Sequence, residues 1–175
     1  MKKKIVLMLT VIMLIGLAGC GKNQINIKET GTSDNNEQMV QNIYENKRTE
    51  VKQKISEIKE RLPETSAEDK GTCGSKAKWY YKDNTLIIYG EGVITEDTWH
   101  KSNIVINTVV IDSGITKLGN NMFSGLGSEV GKNIENFYIA DGLEEIGSST
   151  FVNCDCLSEI VLPPSPVSYT HLTLP

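Results

Sequence analysis

The side chains best suited to metal or redox chemistry in this chain are four cysteines and two histidines. Cys154 and Cys156 are separated by one residue, a spacing that metal-binding and redox pairs also use, whereas the imidazoles belong to His100 and His171. Because the ligands of a protein metal site usually cluster more closely than this, we expect no metal here. We interpret Cys154 as a small core residue and Cys156 as a loop thiol.

Carboxylates and glycines are the other groups with catalytic potential. Asp141, Glu144 and Glu145 share one predicted turn, where neighbouring charges are usually solvated. No serine or cysteine nucleophile has a recognisable base beside it. The glycines between positions 125 and 131 do not follow the G-x-G-x-x-G spacing of a phosphate-binding loop. The sequence therefore predicts neither an enzyme nor a bound cofactor.

The start of the chain has the pattern of an export signal. Three lysines precede an apolar run over residues 5–17 that is too short for a comfortable membrane span. Residues 17–20 (Leu-Ala-Gly-Cys) resemble a bacterial lipobox, which implies removal of residues 1–19 and a diacylglycerol thioether on Cys20. The alternative is ordinary secretion, with a cysteine at this position by chance. Because an odd number of cysteines remains besides Cys20, no disulfide can be assigned.

Two further segments separate this signal from the second half of the chain. Residues 20–38 are polar and contain few apolar side chains, which predicts a flexible tether. Residues 39–63 have the apolar spacing of an amphipathic helix, which Pro63 helps to end. The apolar face of this helix is formed by Tyr44, Val51, Ile55, Ile58 and Leu62. Arg48 interrupts the face, and both a short stalk and a helix packed on its own repeats stay open as interpretations.

Residues 111–123 and 139–151 repeat one pattern of aliphatic residues, two glycines and a phenylalanine. These two stretches are about 28 residues apart, whereas a third start at Leu157 follows its predecessor by about 23. We therefore predict a period of about 23 residues, with the extra residues on a polar loop over 127–132. The glycines expected to follow each strand with positive φ are Gly114 and Gly142.

Alternation within each repeat predicts short parallel strands with an inward and an outward face. The residues expected to point inward are Val109, Ile111, Phe137, Ile139, Ile160 and Leu162. Val110, Tyr138 and Val161 then point outward at equivalent positions and form an exposed apolar stripe. Asn136 is one of its polar flanks, and these four residues are the candidate ligand-binding surface. The alternative is lateral packing between neighbouring strands, without a ligand.

Residues 151–163 are similar to the pattern F-x-x-C-x-x-L-x-x-I-x-I-P of the BspA-like leucine-rich repeats of bacterial and protozoan surface proteins. The resemblance implies a mainly β leucine-rich-repeat solenoid over residues 105–164, with about two and a half repeats. Residues 70–104 resemble the β-rich segment that often precedes such repeats, and a hairpin there is expected to cap the first edge. The resemblance also implies a surface protein that binds a protein or a glycan, as in adhesion.

The last segment, residues 165–175, lacks the glycines and the phenylalanine of the repeat. It resembles a string that recurs at the ends of predicted proteins from metagenome assemblies. We therefore expect a C-terminally truncated fragment, and the alternative is a divergent capping strand.

Charge and localisation complete this interpretation. Removal of residues 1–19 takes away three lysines and moves the formal net charge from −4 to about −7, which argues against a nucleic-acid partner. We expect an exported protein that is lipid-anchored to the bacterial cell membrane through Cys20 and faces outward. The alternatives are a structural or assembly subunit of the envelope and an accessory to an exported enzyme. No sequence pattern assigns an oligomeric state.

Overall fold

The computed structural model describes residues 34–102, 104–124, 131–164 and 168–169, and this part of the chain is mainly β-sheet with one α-helix. The predicted signal peptide, Cys20 and most of the tether lie outside the described residues, as do His171 and residues 127–130 of the predicted insertion. The elements in chain order are α1 (Asp34–Arg61), β1 (Asp69–Thr72), β2 (Lys76–Lys82), β3 (Thr85–Ile94), β4 (Thr108–Ile111), β5 (Ile115–Leu118), β6 (Asn136–Ile139), β7 (Glu145–Ile146) and β8 (Ser168–Tyr169).

The first three strands form an antiparallel meander. β1 pairs with β2, and β2 pairs with β3 through a two-residue turn at Asp83 and Asn84. Both turn residues have positive φ, 47° and 56°, which matches the twist of a tight hairpin and suits these two short polar side chains. The hairpin predicted in this region is therefore confirmed.

A row of parallel strands continues from this hairpin. β3 pairs with β4 (Ile87 beside Val110), β4 pairs with β6 (Val110 beside Tyr138), and Phe137 forms a single bridge to Ile160. The first and third of these intervals are equal and match the predicted period, and the second is longer, as the predicted insertion requires. β3 also occupies a strand position of the stack, although the sequence analysis assigned it only to the cap.

A second row of parallel strands runs beside the first. The end of β3 pairs with β5, β5 with β7, and β7 with β8. In the last of these pairs Ile146 lies beside Tyr169, which stands one predicted period further along the chain. The repeat was expected to fail after Pro164, but residues 168–169 continue its register. A strand ladder needs backbone geometry rather than the repeat's glycines and phenylalanine, and their loss therefore did not prevent this pairing.

Two glycines show why the turns after the strands need small residues. A Cβ on Gly114 would lie 1.9 Å from the carbonyl oxygen of Gly90, and one on Gly142 would lie 2.5 Å from that of Ser113. Gly142 has the expected positive φ of 111°, but Gly114 does not. At Gly114 the expectation of positive φ is wrong, and the close approach of the β3 backbone at Gly90 is what excludes a side chain there.

Aromatic rings fill the core between the two rows. Phe123 stacks on Trp99 with ring centroids 5.4 Å apart and on Phe151 at 6.3 Å. Phe137 meets Phe123 edge to face at 4.9 Å. Cys154 is fully buried beside these rings and donates its thiol hydrogen to the carbonyl oxygen of Phe123 at 3.1 Å, so its predicted core position is confirmed. Trp99 takes the place that phenylalanine holds in the later units.

Candidate functional site

The outward face of the first strand row lies under α1. The predicted row is present, with Val110 beside Tyr138 and Val161 in the next strand position. Val110 is fully buried, and Tyr138 and Val161 are partly buried in the same apolar cluster as α1. The expectation that this stripe is exposed is therefore wrong, because the apolar face of the helix covers it. Asn136 is exposed, and its predicted ligand-binding role and that of the row stay predictions.

The apolar face of α1 explains this docking. The predicted helix over residues 39–63 is present, and its spacing of three and four residues aligns the apolar side chains along one side. The helix residues buried in the shared cluster, with the adjoining Leu62, are Val51, Ile55, Ile58 and Leu62. They meet Tyr80, Ile87 and Val110 of β2, β3 and β4. Of the two interpretations left open by the sequence, the structure has the helix packed on its own repeats.

Arg48 connects α1 to the last two strands of the row. Its Nη1 donates to the carbonyl oxygens of Ile139 at 2.9 Å and Val161 at 3.0 Å, and its Nη2 donates to Asp141 at 2.7 Å. The side chain is only 3% exposed. The sequence analysis treated Arg48 as an interruption of the apolar face, whereas its Nη1 and Nη2 make three hydrogen bonds to the strands and the following turn, and only its buried Nε has no partner among the described residues.

The reason for an arginine at this position is Pro163. In the earlier units the backbone N–H of Asp112 donates to Ile88, and that of Ala140 donates to Ile111. The equivalent donor to the carbonyl of Ile139 belongs to position 163, where proline has no N–H. Arg48 therefore supplies the hydrogen bond that the backbone lacks. The signals in the sequence were a proline directly after a predicted parallel strand and an arginine on an apolar helix face, but their contact was not visible there.

Complementary charges surround this contact. Lys47 pairs with Glu159, Lys52 pairs with Asp141 at 2.7 Å, and Lys59 pairs with Asp112 at 2.5 Å. Because these pairs are partly exposed, each contributes little by itself. Together they place basic residues of α1 opposite acidic residues at the ends of the strand positions, since Asp112 and Asp141 follow β4 and β6 and Glu159 precedes Ile160. The hydrogen bond from Lys52 is the main cause that lowers the pKa of the Asp141 carboxyl, and the hydrogen bond from Arg48 adds to it.

We expect acid to loosen α1 through Asp141. Because its folded-state pKa is lowered, its contribution is present above the ordinary carboxyl pKa of about 4 and is lost as the pH falls through the folded value. Asp141→Asn should therefore destabilise the protein at pH 7 and do so much less at pH 3. Urea unfolding at both pH values measures this difference, and an equal loss at both would contradict it.

The cysteines form no pair among the described residues, since Cys73, Cys154 and Cys156 are all free. Burial raises the pKa of the Cys73 and Cys154 thiols to about 12. Cys156 is exposed, as expected for a loop thiol. The two buried thiols should therefore be inert, because the thiolate is the reactive species.

This difference predicts thiol labelling. At pH 8 a protein with Cys20→Ser should react with a disulfide reagent at one fast thiol, that of Cys156, and at all three only after unfolding. A pKa of about 12 in place of an ordinary 8.5 lowers the thiolate fraction of the buried pair about a thousandfold. Adding Cys156→Ser should abolish the fast phase, and a fast phase that persists would contradict the assignment.

Within the described part of the chain, no group of three or more histidine, cysteine, aspartate or glutamate side chains is placed to hold a metal ion. No helix in this part is long and apolar enough to cross a membrane.

Comparison with known proteins supports the prediction of a repeat. Residues 128–171 match a family model described as "BspA type Leucine rich repeat region (6 copies)", so this part of the chain is similar to a BspA-type leucine-rich repeat. A crystal structure of a leucine-rich repeat protein from Eubacterium ventriosum is similar over 59% of this chain, with 23% identity and a TM-score of 0.41. This chain spans 26% of that protein. No curated protein matches the chain.

Leucine-rich repeat domains generally bind proteins, and BspA-type proteins are often exposed on the cell surface. The resemblance stated from residues 151–163 is thus confirmed, and the matched region extends to residue 171. That extension includes β8, whose pairing with β7 continues the register of the repeat.

Proposed function

We propose that this chain is an exported protein, held on the bacterial membrane by a lipid on Cys20, whose leucine-rich repeats bind another protein in an adhesion-type role. The observation that carries the proposal is the register of the strand stack, because repeating strands present the same kind of surface side by side. The lipobox-like residues 17–20 support the anchor.

We further propose that β1 and β2 cap the first edge of the stack. β1 carries Asp69 and Lys70, and charged residues on an edge strand discourage pairing with another chain. The other end of the stack has no equivalent hairpin among the described residues. Because this hairpin covers the first edge, we propose that the partner binds elsewhere on the repeats.

The anchor is tested by changing Cys20→Ser. The variant should leave the membrane fraction and accumulate in the medium or the periplasm. Without the lipid, the polar segment over residues 20–38 has few apolar side chains with which to hold the membrane. Fractionation and metabolic labelling with a fatty acid measure both parts of the prediction. Cys156→Ser is the matched control and should stay labelled and membrane-bound. Full retention of Cys20→Ser on the membrane would contradict the anchor.

The partner could bind either to the strand row or to α1, and deletion of residues 39–62 distinguishes these two possibilities. If the row of Val110, Tyr138 and Val161 binds the partner, α1 must first leave, since Val110 is fully buried in the docked state. Deletion of residues 39–62 should then increase crosslinking to an envelope protein, and Tyr138→Ala should reverse the increase. If α1 itself is the contact element of an envelope subunit, the same deletion should abolish crosslinking.

A further inference from the structure

The charged side chains of α1 are sorted around its apolar face. At about 100° per residue, Tyr44, Val51, Ile55 and Ile58 form one stripe along the helix. Basic side chains border this stripe, and from residue 38 onward the acidic ones lie on the opposite side, where all of them are exposed. The basic residues are Lys47, Arg48, Lys52, Lys54, Lys59 and Arg61, and the acidic residues are Glu45, Glu50, Glu57 and Glu60. An apolar stripe with a basic border is typical of helices that lie on a lipid surface.

Docking on the strand row accounts for only part of this basic border. The side chains that bind carboxylates at the ends of the strand positions are Lys47, Arg48, Lys52 and Lys59. Lys54 pairs with Glu57 on α1 itself, and Arg61 forms no ion pair with the row among the described residues. The carboxylates of the row and the phosphates of anionic lipids both place negative charge beside an apolar surface. The same face of α1 therefore suits both.

The position of α1 in the chain brings it close to the proposed anchor. The helix begins at Asp34, 14 residues after Cys20, and a peptide of this length reaches at most about 50 Å. A lipid on Cys20 would therefore hold α1 at a high local concentration beside the membrane, where a weak affinity is enough for binding. Since α1 is not apolar enough to cross a membrane, it would lie in the plane of the lipid surface.

We propose that α1 has a second partner, an anionic lipid surface, on which it lies through the same apolar stripe and basic border that it presents to the strand row. The inference rests on the proposed anchor at Cys20, which supplies the local concentration. The two partners exclude each other, because both use Val51, Ile55 and Ile58. When α1 lies on the lipid, Val110 is uncovered and the strand row becomes available to a protein partner beside the membrane.

Vesicle binding by two charge variants tests the proposal. The full chain carrying Cys20→Ser is mixed with excess vesicles of phosphatidylcholine, with or without an equal amount of phosphatidylglycerol. Co-sedimentation should show binding to the anionic vesicles about fivefold tighter or more. Lys52→Gln and Asp141→Asn break the same ion pair, but only Lys52→Gln removes a charge that the lipid attracts. The Asp141→Asn variant should therefore bind anionic vesicles about fivefold more tightly than the Lys52→Gln variant.

The pair of Lys76 and Glu91 supplies the matched control. These side chains are 74% and 73% exposed, pair with each other at 3.3 Å and lie outside the cluster that α1 shares with the row. Lys76→Gln and Glu91→Gln change the net charge as the first two variants do, and their affinities should differ by about twofold or less. An equally large difference in both pairs would mean that the whole protein is attracted, which would overturn the assignment to α1.

A tryptophan placed in α1 shows whether the helix itself enters the lipid. Val40 precedes Tyr44 by four residues and lies on the same face, whereas Met39 is 63% exposed. With anionic vesicles that contain a brominated lipid, Val40→Trp should be quenched about twice as strongly as Met39→Trp, or more. The native Trp79 and Trp99 are buried and common to both variants. Equal quenching, or equal binding to neutral and anionic vesicles, would overturn the proposal.

The outcome for the anchor is separate. The vesicle measurements use protein without a lipid on Cys20, so failure of the anchor prediction alone would leave them intact. Because the untethered helix binds only at high lipid concentration, release of the Cys20→Ser variant from cell membranes is still expected.

Discussion

Phe123→Ala is expected to cost about 3–5 kcal/mol of stability, enough to unfold a large fraction of a small domain. Phe123 is fully buried and its ring contacts Trp99, Phe137 and Phe151. Truncation removes the ring that connects the earlier unit to the later one, and neighbouring strands held by backbone hydrogen bonds cannot collapse into the space. Urea unfolding followed by tryptophan fluorescence measures the loss, because Trp99 is a direct neighbour.

Two other variants establish whether the loss comes from this ring. Phe123→Leu keeps much of the volume and should cost about 1.5 kcal/mol or less. Val105→Ala removes an apolar side chain that is 51% exposed and should change stability by at most about 0.5 kcal/mol. A loss for Phe123→Ala that is no larger than that for Val105→Ala would mean that the aromatic stack does not hold the units together.

The sequence predicted the stack because its signals are local. Alternation around Val110 and Tyr138, and the phenylalanines at 123 and 151, reflect packing that every unit repeats. The first unit was missed because it lacks the repeat's phenylalanine. Trp99 replaces the phenylalanine, yet the run Leu-Ile-Ile over residues 86–88 stands one period before the equivalent run in β4 and was visible in the sequence.

The position of α1 was beyond sequence reasoning for a different reason. An amphipathic face shows that a helix buries one side, but it does not say against what. The same pattern at Val51 and Ile55 fits a stalk and a helix that covers a sheet. The sequence likewise did not show what covers the outward row around Val110. Only the structure shows that this row and the apolar face of α1 cover each other. The proposed lipid on Cys20 would depend on recognition of residues 17–20 by enzymes, which the described fold does not test.

The second large effect is expected at Arg48. Arg48→Met keeps much of the side-chain volume but removes every hydrogen bond to Ile139, Val161 and Asp141. The buried carbonyl of Ile139 then has no donor, because Pro163 cannot supply one. We expect a loss of about 2–4 kcal/mol, since the bonds are charge-assisted and the group left behind is buried. Chemical unfolding at pH 7 measures this loss of stability.

Lys52→Met is the matched control, because Lys52 also binds Asp141 but is 59% exposed. This substitution should cost less than about 1 kcal/mol of stability.

A double-mutant cycle with Pro163→Ala tests the cause rather than the size of the effect. In the unchanged protein an alanine N–H at position 163 competes with Arg48 for the carbonyl of Ile139, so the substitution should gain nothing from it. With Arg48→Met the same N–H becomes the missing donor, as the N–H groups of Asp112 and Ala140 are in the earlier units. Pro163→Ala should then recover about 1 kcal/mol. Equal effects of Pro163→Ala in both backgrounds would show that Arg48 acts only as a charged partner of Asp141, and not as a substitute for the backbone of the strand.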